Sequence, residues 1–524
     1  MDLKKASLAE KIGQMFICGF HGTEPTSEIA QLIKQHYLGG IIYFRRNIES
    51  CQQVKRLSSS LQRLSSSVSD LPLFISIDQE GGMVARIDRG ITLIPGNMAL
   101  GATKDFLGVY EAARISGKEL RQLGINMNFA PSIDVNNNPL NPVIGVRSFG
   151  ADPDFVKQMG IHAVRGYQDA GMIATVKHFP GHGDTDSDSH HTLPTIPHDL
   201  DRLQQVELVP FIGAIEEKVD VIMTAHILFP AIDSSATPAT LSYQVLTGLL
   251  RESLGYQGLI VTDCLEMSAI SGGVGVEEGA VLAVEAGADL LLVSHTYEHQ
   301  VGAIQRLVEA VESGRISEER INQSLERILD LKNQRLMWEE ANNHEPLVIS
   351  SEEDRLFIES LSEKSITLVK DEGQLPLQQT KTYVIWTEVR VGTEVDEVIE
   401  QEETLGHFLK QDLSYVYEDR IGVHPTEEEI RKVLETYQQF EQVIFLSYNA
   451  TFSEGQVFLV KEIAQNEGVR LIVAATRNPY DLLEFPEVKT FIACYENRPV
   501  AMNSLAKVLL GKIPAVGELP VSLT

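Results

Sequence analysis

The chain has 524 residues, 43% of them hydrophobic; the length points to at least two domains and the composition is ordinary for a globular protein. Its 73 acidic against 44 basic residues give a formal charge of −29, which disfavours nucleic acid and anionic membrane surfaces and favours a small or neutral ligand. There is no apolar run long enough to span a bilayer and no signal-peptide core at the start; four scattered cysteines without a CxxC pair fit a reducing cytoplasm.

Ser7-Leu-Ala-Glu10 reads as a capping box opening a helix with Leu8, Ile12, Met15 and Phe16 on one face. Short apolar runs then recur. They are Met15–Cys18, Gly40–Phe44, Leu73–Ile77, Ile125–Phe129, Ile173–Lys177, Val219–Thr224, Gly258–Asp263 and Asp289–Val293. Most are too short for helices and rich in Ile and Val, as buried parallel strands are. Helical patterns lie between them, for example Leu203, Val206, Phe211, Ile212 and Ile215, then Val245, Leu246, Leu249 and Leu250. About eight such repeats predict a TIM-type (β/α)8 barrel over residues 1–335. A doubly wound sheet is the weaker alternative, because no Gly-x-Gly-x-x-Gly follows an early strand.

Each run ends in polar residues: Asp78-Gln-Glu-Gly-Gly82, Ala130-Pro-Ser-Ile-Asp134, Lys177-His178, Ala225-His226 and Asp263. In a barrel these strand ends converge on one face, where such folds place their sites. Two helical patterns follow up to about residue 340. Polar Glu339–Pro346 sits in a predicted linker, residues 336–362. Residues 363–524 form a second α/β region, with strands expected at Ile366–Val369, Tyr383–Trp386, Val443–Leu446, Leu471–Ala474 and Phe491–Ala493. The acidic run Glu394–Glu403 reads as a solvated helix face.

The densest chemistry lies in Lys177-His-Phe-Pro-Gly-His-Gly-Asp-Thr-Asp-Ser-Asp-Ser-His-His-Thr-Leu-Pro194. As a metal site it is poorly formed. Pro180 and two glycines break the helix that would align His178 with His182. Asp184-x-Asp186-x-Asp188 starts like a calcium loop, but Ser189 stands where the turn glycine belongs and Thr195 where the bidentate Glu belongs. As a proton-transfer loop it is well formed. Asp188 sits two residues from His190, so the carboxylate can orient the ring and raise its basicity. Asp263, ending another strand, is then a candidate nucleophile, as in retaining glycoside hydrolysis.

The Lys177–Thr185 stretch, followed by Asp188-Ser-His190 and Leu193-Pro194, resembles the signature of glycoside hydrolase family 3, in its β-N-acetylglucosaminidase branch. Further matches are Gly39-Gly-Ile-Ile42, Asp78–Gly82, Phe129–Asp134, Val143–Gly150, Pro238–Ser242 and Val261–Asp263. Ser365–Lys370 and Gly517–Leu523 resemble the smaller α/β sandwich domain that often follows the barrel. The resemblance implies that Asp263 attacks the anomeric carbon and that His190, paired with Asp188, is acid and then base. It also implies that Asp78, Arg86, Arg147, Lys177 and His178 bind sugar hydroxyls. Met83 departs from the pattern, standing where relatives often carry an arginine after the double glycine.

The implied protein is an exo-acting, retaining, cytoplasmic β-N-acetylglucosaminidase for muropeptide fragments or related β-glycosides. It needs no cofactor and no metal, and its partner is a small carbohydrate. Three alternatives stay open: a phosphorylase with the same residues, a metal-dependent barrel hydrolase and a non-catalytic sugar binder. The oligomeric state is not legible.

Overall fold

Eight of the apolar runs close into a barrel. The computed structural model describes residues 5–187, 193–336, 338, 346–390 and 401–523. Its barrel strands are β1 (Phe16–Cys18), β2 (Gly40–Tyr43), β3 (Phe74–Ile77) and β4 (Met127–Asn128). They continue with β5 (Ile173–Phe179), β6 (Val221–Thr224), β7 (Leu259–Val261) and β8 (Leu291–Val293). All pair in parallel, in the order β8-β1-β2-β3-β4-β5-β6-β7. A bridge between Val261 and Leu290 and a 3.0 Å bond from the Thr262 N–H to the Leu290 carbonyl join the two ends. Every strand residue is buried, because helices cover the outside and side chains fill the inside. That double burial is why most of the runs are apolar at consecutive positions rather than alternating.

The helices begin where short polar side chains can cap them. Thr26, Ser50, Asp105 and Asp152 each accept an N–H of the first turn, a contact that typically stabilises by about 1 kcal/mol. The capping box at Ser7 and Glu10 is present. The helical pattern expected through residues 203–215 is two helices, Leu200–Gln205 and Val209–Glu216, because Pro210 suits only a first turn. The Val245–Leu250 pattern lies in Gln244–Ser253, a helix of π type.

The second sheet contains β9 (Thr367–Asp371), β10 (Thr382–Glu388), β11 (Val416–Gly422), β12 (Gln442–Ser447), β13 (Arg470–Ala475) and β14 (Thr490–Ala493). The order is β9-β14-β13-β12-β10-β11, parallel except for β9. Along β10 the faces alternate. Val384 and Trp386 pack with Leu405, Met502 and Leu505, while Tyr383 and Ile385 pack with Val433, Leu459 and Ile463. Helices therefore cover both faces of the sheet, and the fold is a TIM-type barrel followed by a smaller α/β sandwich.

Within the predicted linker, residues 337 and 339–345 lie outside the described residues, and the helix Glu352–Ser365 runs from its second half into the following region. Its Ile358 and Leu361 join the barrel core. Residues 394–400 of the acidic run also lie outside the described residues; Glu402 and Glu403 are exposed in an irregular segment rather than a helix. All four cysteines are buried and unpaired. Among the described residues, no helix is long and apolar enough to cross a membrane.

The sandwich packs on loops that leave the C-terminal ends of β3 and β4. Arg498 Nε donates to the Gly82 carbonyl at 2.8 Å, and Glu496 accepts the Gly96 N–H at 2.9 Å. Asn136 donates to the Tyr480 hydroxyl at 2.9 Å, and the Ala151 N–H bonds the Pro520 carbonyl at 3.0 Å. Met83 is buried in an apolar cluster with Met98, Val146, Tyr448, Tyr480 and Tyr495. An arginine there would need a charged partner; this chain uses the position to seal the two domains together.

Candidate active site

The C-terminal mouth of the barrel holds a cleft open to solvent. Asp78, Arg86, Arg147, Lys177, His178 and Asp263 all line it, so six of the eight residues singled out in the sequence converge there. The other two, Asp188 and His190, lie outside the described residues. Asp78 follows β3 and Asp263 follows β7, which are four strands apart either way around the barrel. Their carboxylates therefore enter the cleft from opposite walls.

One wall is a charged network. The Lys177 ammonium lies 2.8 Å from Asp78 and 2.7 Å from Glu80. Arg147 grips Glu80 with two bonds, Nε to Oε2 at 3.0 Å and Nη2 to Oε1 at 2.8 Å. The guanidinium is set by the turn Gly145–Arg147, whose Arg147 carbonyl accepts from Asn97 at 2.7 Å. Burial opposes the Glu80 charge, but Arg147 and Lys177 outweigh it and hold the carboxyl well below the usual carboxylate range. Burial likewise opposes the charge on Lys177, and Asp78 and Glu80 overcome it and push its pKa up. Glu80 and Lys177 are thus ionised around neutral pH, and the wall offers N–H donors to a hydroxylated ligand.

Behind it stands Asp134, buried. It accepts from His178 Nδ1 at 2.8 Å, from the His182 N–H at 2.7 Å, from the His178 N–H at 3.2 Å and from Ser132 Oγ at 3.0 Å. Burial raises its pKa, yet His178 and these bonds bring it down to about 2. Arg147 Nη2 lies 3.4 Å from the other ring nitrogen of His178, Nε2. His182 is buried too; burial and the neighbouring His178 lower its pKa to about 4, so it is neutral and bonds Thr185 Oγ1 at 2.9 Å.

On the opposite wall, Asp263 Oδ1 accepts the Cys264 N–H at 2.7 Å, which orients the carboxylate. Arg86 lies 3.9 Å from Asp78 and stands over the Phe44 ring at 5.7 Å. His226 does not line the cleft. It is fully buried, with its ring nitrogens 2.8 Å from Thr240 Oγ1 and 2.9 Å from the Cys264 carbonyl.

Glu80 and Asp134 were not picked out by the sequence reading. Both sit inside motifs that resemble the family, but nothing in a one-dimensional pattern tells that Glu80 pairs with a residue 67 positions on. One set of described residues brings metal-ligand atoms within 4.8 Å of one another: Asp184, His198 and Glu207. Arg202 reaches 3.8 Å from Asp184 and 3.1 Å from Glu207, so a guanidinium already supplies positive charge there.

Comparison with known proteins agrees with this geometry. Residues 7–331 match the model of the glycosyl hydrolase family 3 N-terminal domain. A beta-hexosaminidase A of Pseudoalteromonas piscicida is 33% identical over 95% of this chain and 91% of its own length. A beta-N-acetylglucosaminidase/beta-glucosidase of Cellulomonas fimi is 28% identical over 98% of this chain and 93% of its own. A solved family 3 beta-N-acetylglucosaminidase from Paenibacillus sp. str. FPU-7 superposes with a TM-score of 0.96 at 54% identity, covering 99% of both chains. By sequence and fold alike, this chain belongs to glycoside hydrolase family 3 and is a glycoside hydrolase.

Proposed function

We propose that the enzyme is an exo-acting, retaining β-N-acetylglucosaminidase that removes a terminal N-acetylglucosamine from cell-wall fragments or related β-glycosides in the cytoplasm. The observation that carries the reading is the cleft itself: Asp263 lines it together with a wall of charged hydrogen-bond donors, Arg147, Lys177 and Arg86. Relatives with hexosaminidase activity in their names support the substrate, and four unpaired buried cysteines fit a reducing compartment.

In this reading Arg147, Lys177, His178, Asp78 and Arg86 grip the hydroxyls of one terminal sugar. Asp263 attacks the anomeric carbon as the bond to the leaving oxygen breaks. His190, paired with Asp188, gives that oxygen a proton, then takes one from the water that hydrolyses the glycosyl–Asp263 ester.

The test is the initial rate on an aryl β-N-acetylglucosaminide in phosphate-free buffer containing chelator, for wild type and Asp263→Asn. Turnover by wild type and a loss of several orders of magnitude in the variant are expected. A wild type that is inert there but recovers with phosphate would make it a phosphorylase; one that recovers only with added metal would sink the assignment of Asp263.

A further inference from the structure

Both limbs of the segment that carries Asp188 and His190 are pinned. The outgoing limb follows β5. The His182 and Gly183 carbonyls and Thr185 Oγ1 accept from Asn141 Nδ2 at 2.8, 3.0 and 3.3 Å, and Asn138 donates to the Thr185 carbonyl at 3.3 Å. Gly183 passes so close to Val135 that an added Cβ would fall 1.8 Å from its carbonyl oxygen, so only glycine fits. The returning limb pairs with the strand end after β6. Leu228 N–H bonds the Pro194 carbonyl and Ile196 N–H bonds the Leu228 carbonyl, both at 2.9 Å.

A side-chain contact ties one limb to the other. His198 Nε2 lies 2.6 Å from Asp184 Oδ2, across 14 positions of sequence. Arg202 and Glu207 back this pair: Arg202 reaches both carboxylates, and Glu207 is buried against Gly181. His198 and Asp184 keep side-chain exposures of 33% and 20%, so the pair sits at the rim rather than in the core. Its position, where the chain departs and returns, is what it contributes.

We propose that Asp184 and His198 form a clasp that fixes where the segment bearing the proton donor starts and ends, making both of them positioning residues for proton delivery. This rests on the reading of His190 as the acid and base. A closed loop has fewer conformations than an open one, and a catalytic group displaced by about 1 Å can lose roughly a hundredfold in rate.

The experiment separates proton delivery from general support of the fold. Wild type, His198→Ala, His198→Gln, Asp184→Asn and His190→Ala are compared by kcat/KM on two β-N-acetylglucosaminides. One has a 2,4-dinitrophenyl leaving group, which departs without a proton, and the other a phenyl group, which needs one. For His198→Ala the phenyl substrate should lose roughly tenfold or more, with the dinitrophenyl substrate nearly unchanged; Asp184→Asn, whose amide oxygen can still accept, should lose less. His198→Gln, which keeps a donor, should recover much of the loss. His190→Ala should show the same split, larger. Equal losses on both substrates, or no loss, overturn the clasp while leaving the His190 split intact. An absent split in His190→Ala removes the acid assignment and the proposal with it. A wild type that loses activity in chelator would make Asp184, His198 and Glu207 a metal site instead of a clasp.

Discussion

Glu80 is the residue on which the donor wall depends. It takes two bonds from Arg147 and a third from Lys177, all buried, so those two side chains take the place of water around its charge. Replacing it with Gln would keep the shape and leave two cations facing Asp78 without their second carboxylate. Removing one partner of a buried ion pair typically costs about 3 kcal/mol or more. Glu80→Gln should therefore lower the thermal midpoint clearly. It should also raise KM for the aryl glycoside, because Lys177 and Arg147 would no longer be held in place. Thermal unfolding beside steady-state kinetics checks both. An unchanged midpoint with unchanged KM would mean that the network is not what orders the wall. Asp134 plays the matching part for His178. Its carboxyl is down at about 2, so the stability it contributes is full above about pH 4 and is lost as pH falls from there to about 2.

At the level of elements, the loop after β3 must serve two masters. It carries Asp78, Glu80 and Arg86 into the cleft, and its Gly82 and Met83 are held by the sandwich. Arg498→Ala would leave the buried Gly82 carbonyl without that donor, at a cost of about 2 kcal/mol. The expected result is a lower midpoint and a higher KM with kcat retained, read from a substrate-saturation curve. A fall in kcat alone would place the effect elsewhere. Many of the strands that feed these loops were legible because burial on both faces favours consecutive Ile, Val and Leu, as in Leu259–Val261. The edge strand Val416–Gly422 was not. Its sequence Val-Tyr-Glu-Asp-Arg-Ile-Gly mixes charged and apolar side chains, since one edge and part of its faces meet water. The site was legible to the extent that polar residues end strands; Asp78, Lys177 and Asp263 could be placed on one face that way. The pairing of Glu80 with Arg147, and of Gly82 with Arg498 across 416 positions, needs the folded chain.

On the scale of the whole molecule, the joint between barrel and sandwich contains a titrating group. Glu496 is buried at the domain boundary, beside Gly82 and accepting the Gly96 N–H. Burial raises its carboxyl from 4.5 to about 7, against the pull of that bond and of Arg498. The sign follows from proton uptake. Below pH 4.5 the group is protonated folded or unfolded and has no effect on stability. Between 4.5 and about 7 the folded protein keeps a proton that the unfolded chain has released, so stability falls as pH rises and levels off above 7. The total corresponds to about 3 kcal/mol. Glu496→Gln is neutral throughout, and its amide oxygen can still accept from Gly96. The variant's thermal midpoint should match wild type near pH 4.5 and climb above it up to about pH 7, then hold a constant lead. Asp481 and Asp220, raised by burial to about 7 and about 6, titrate in both proteins and cancel in the difference. A variant less stable than wild type at pH 8 would show that Arg498 holds Glu496 ionised, and that the joint gains from the charge instead of being strained by it.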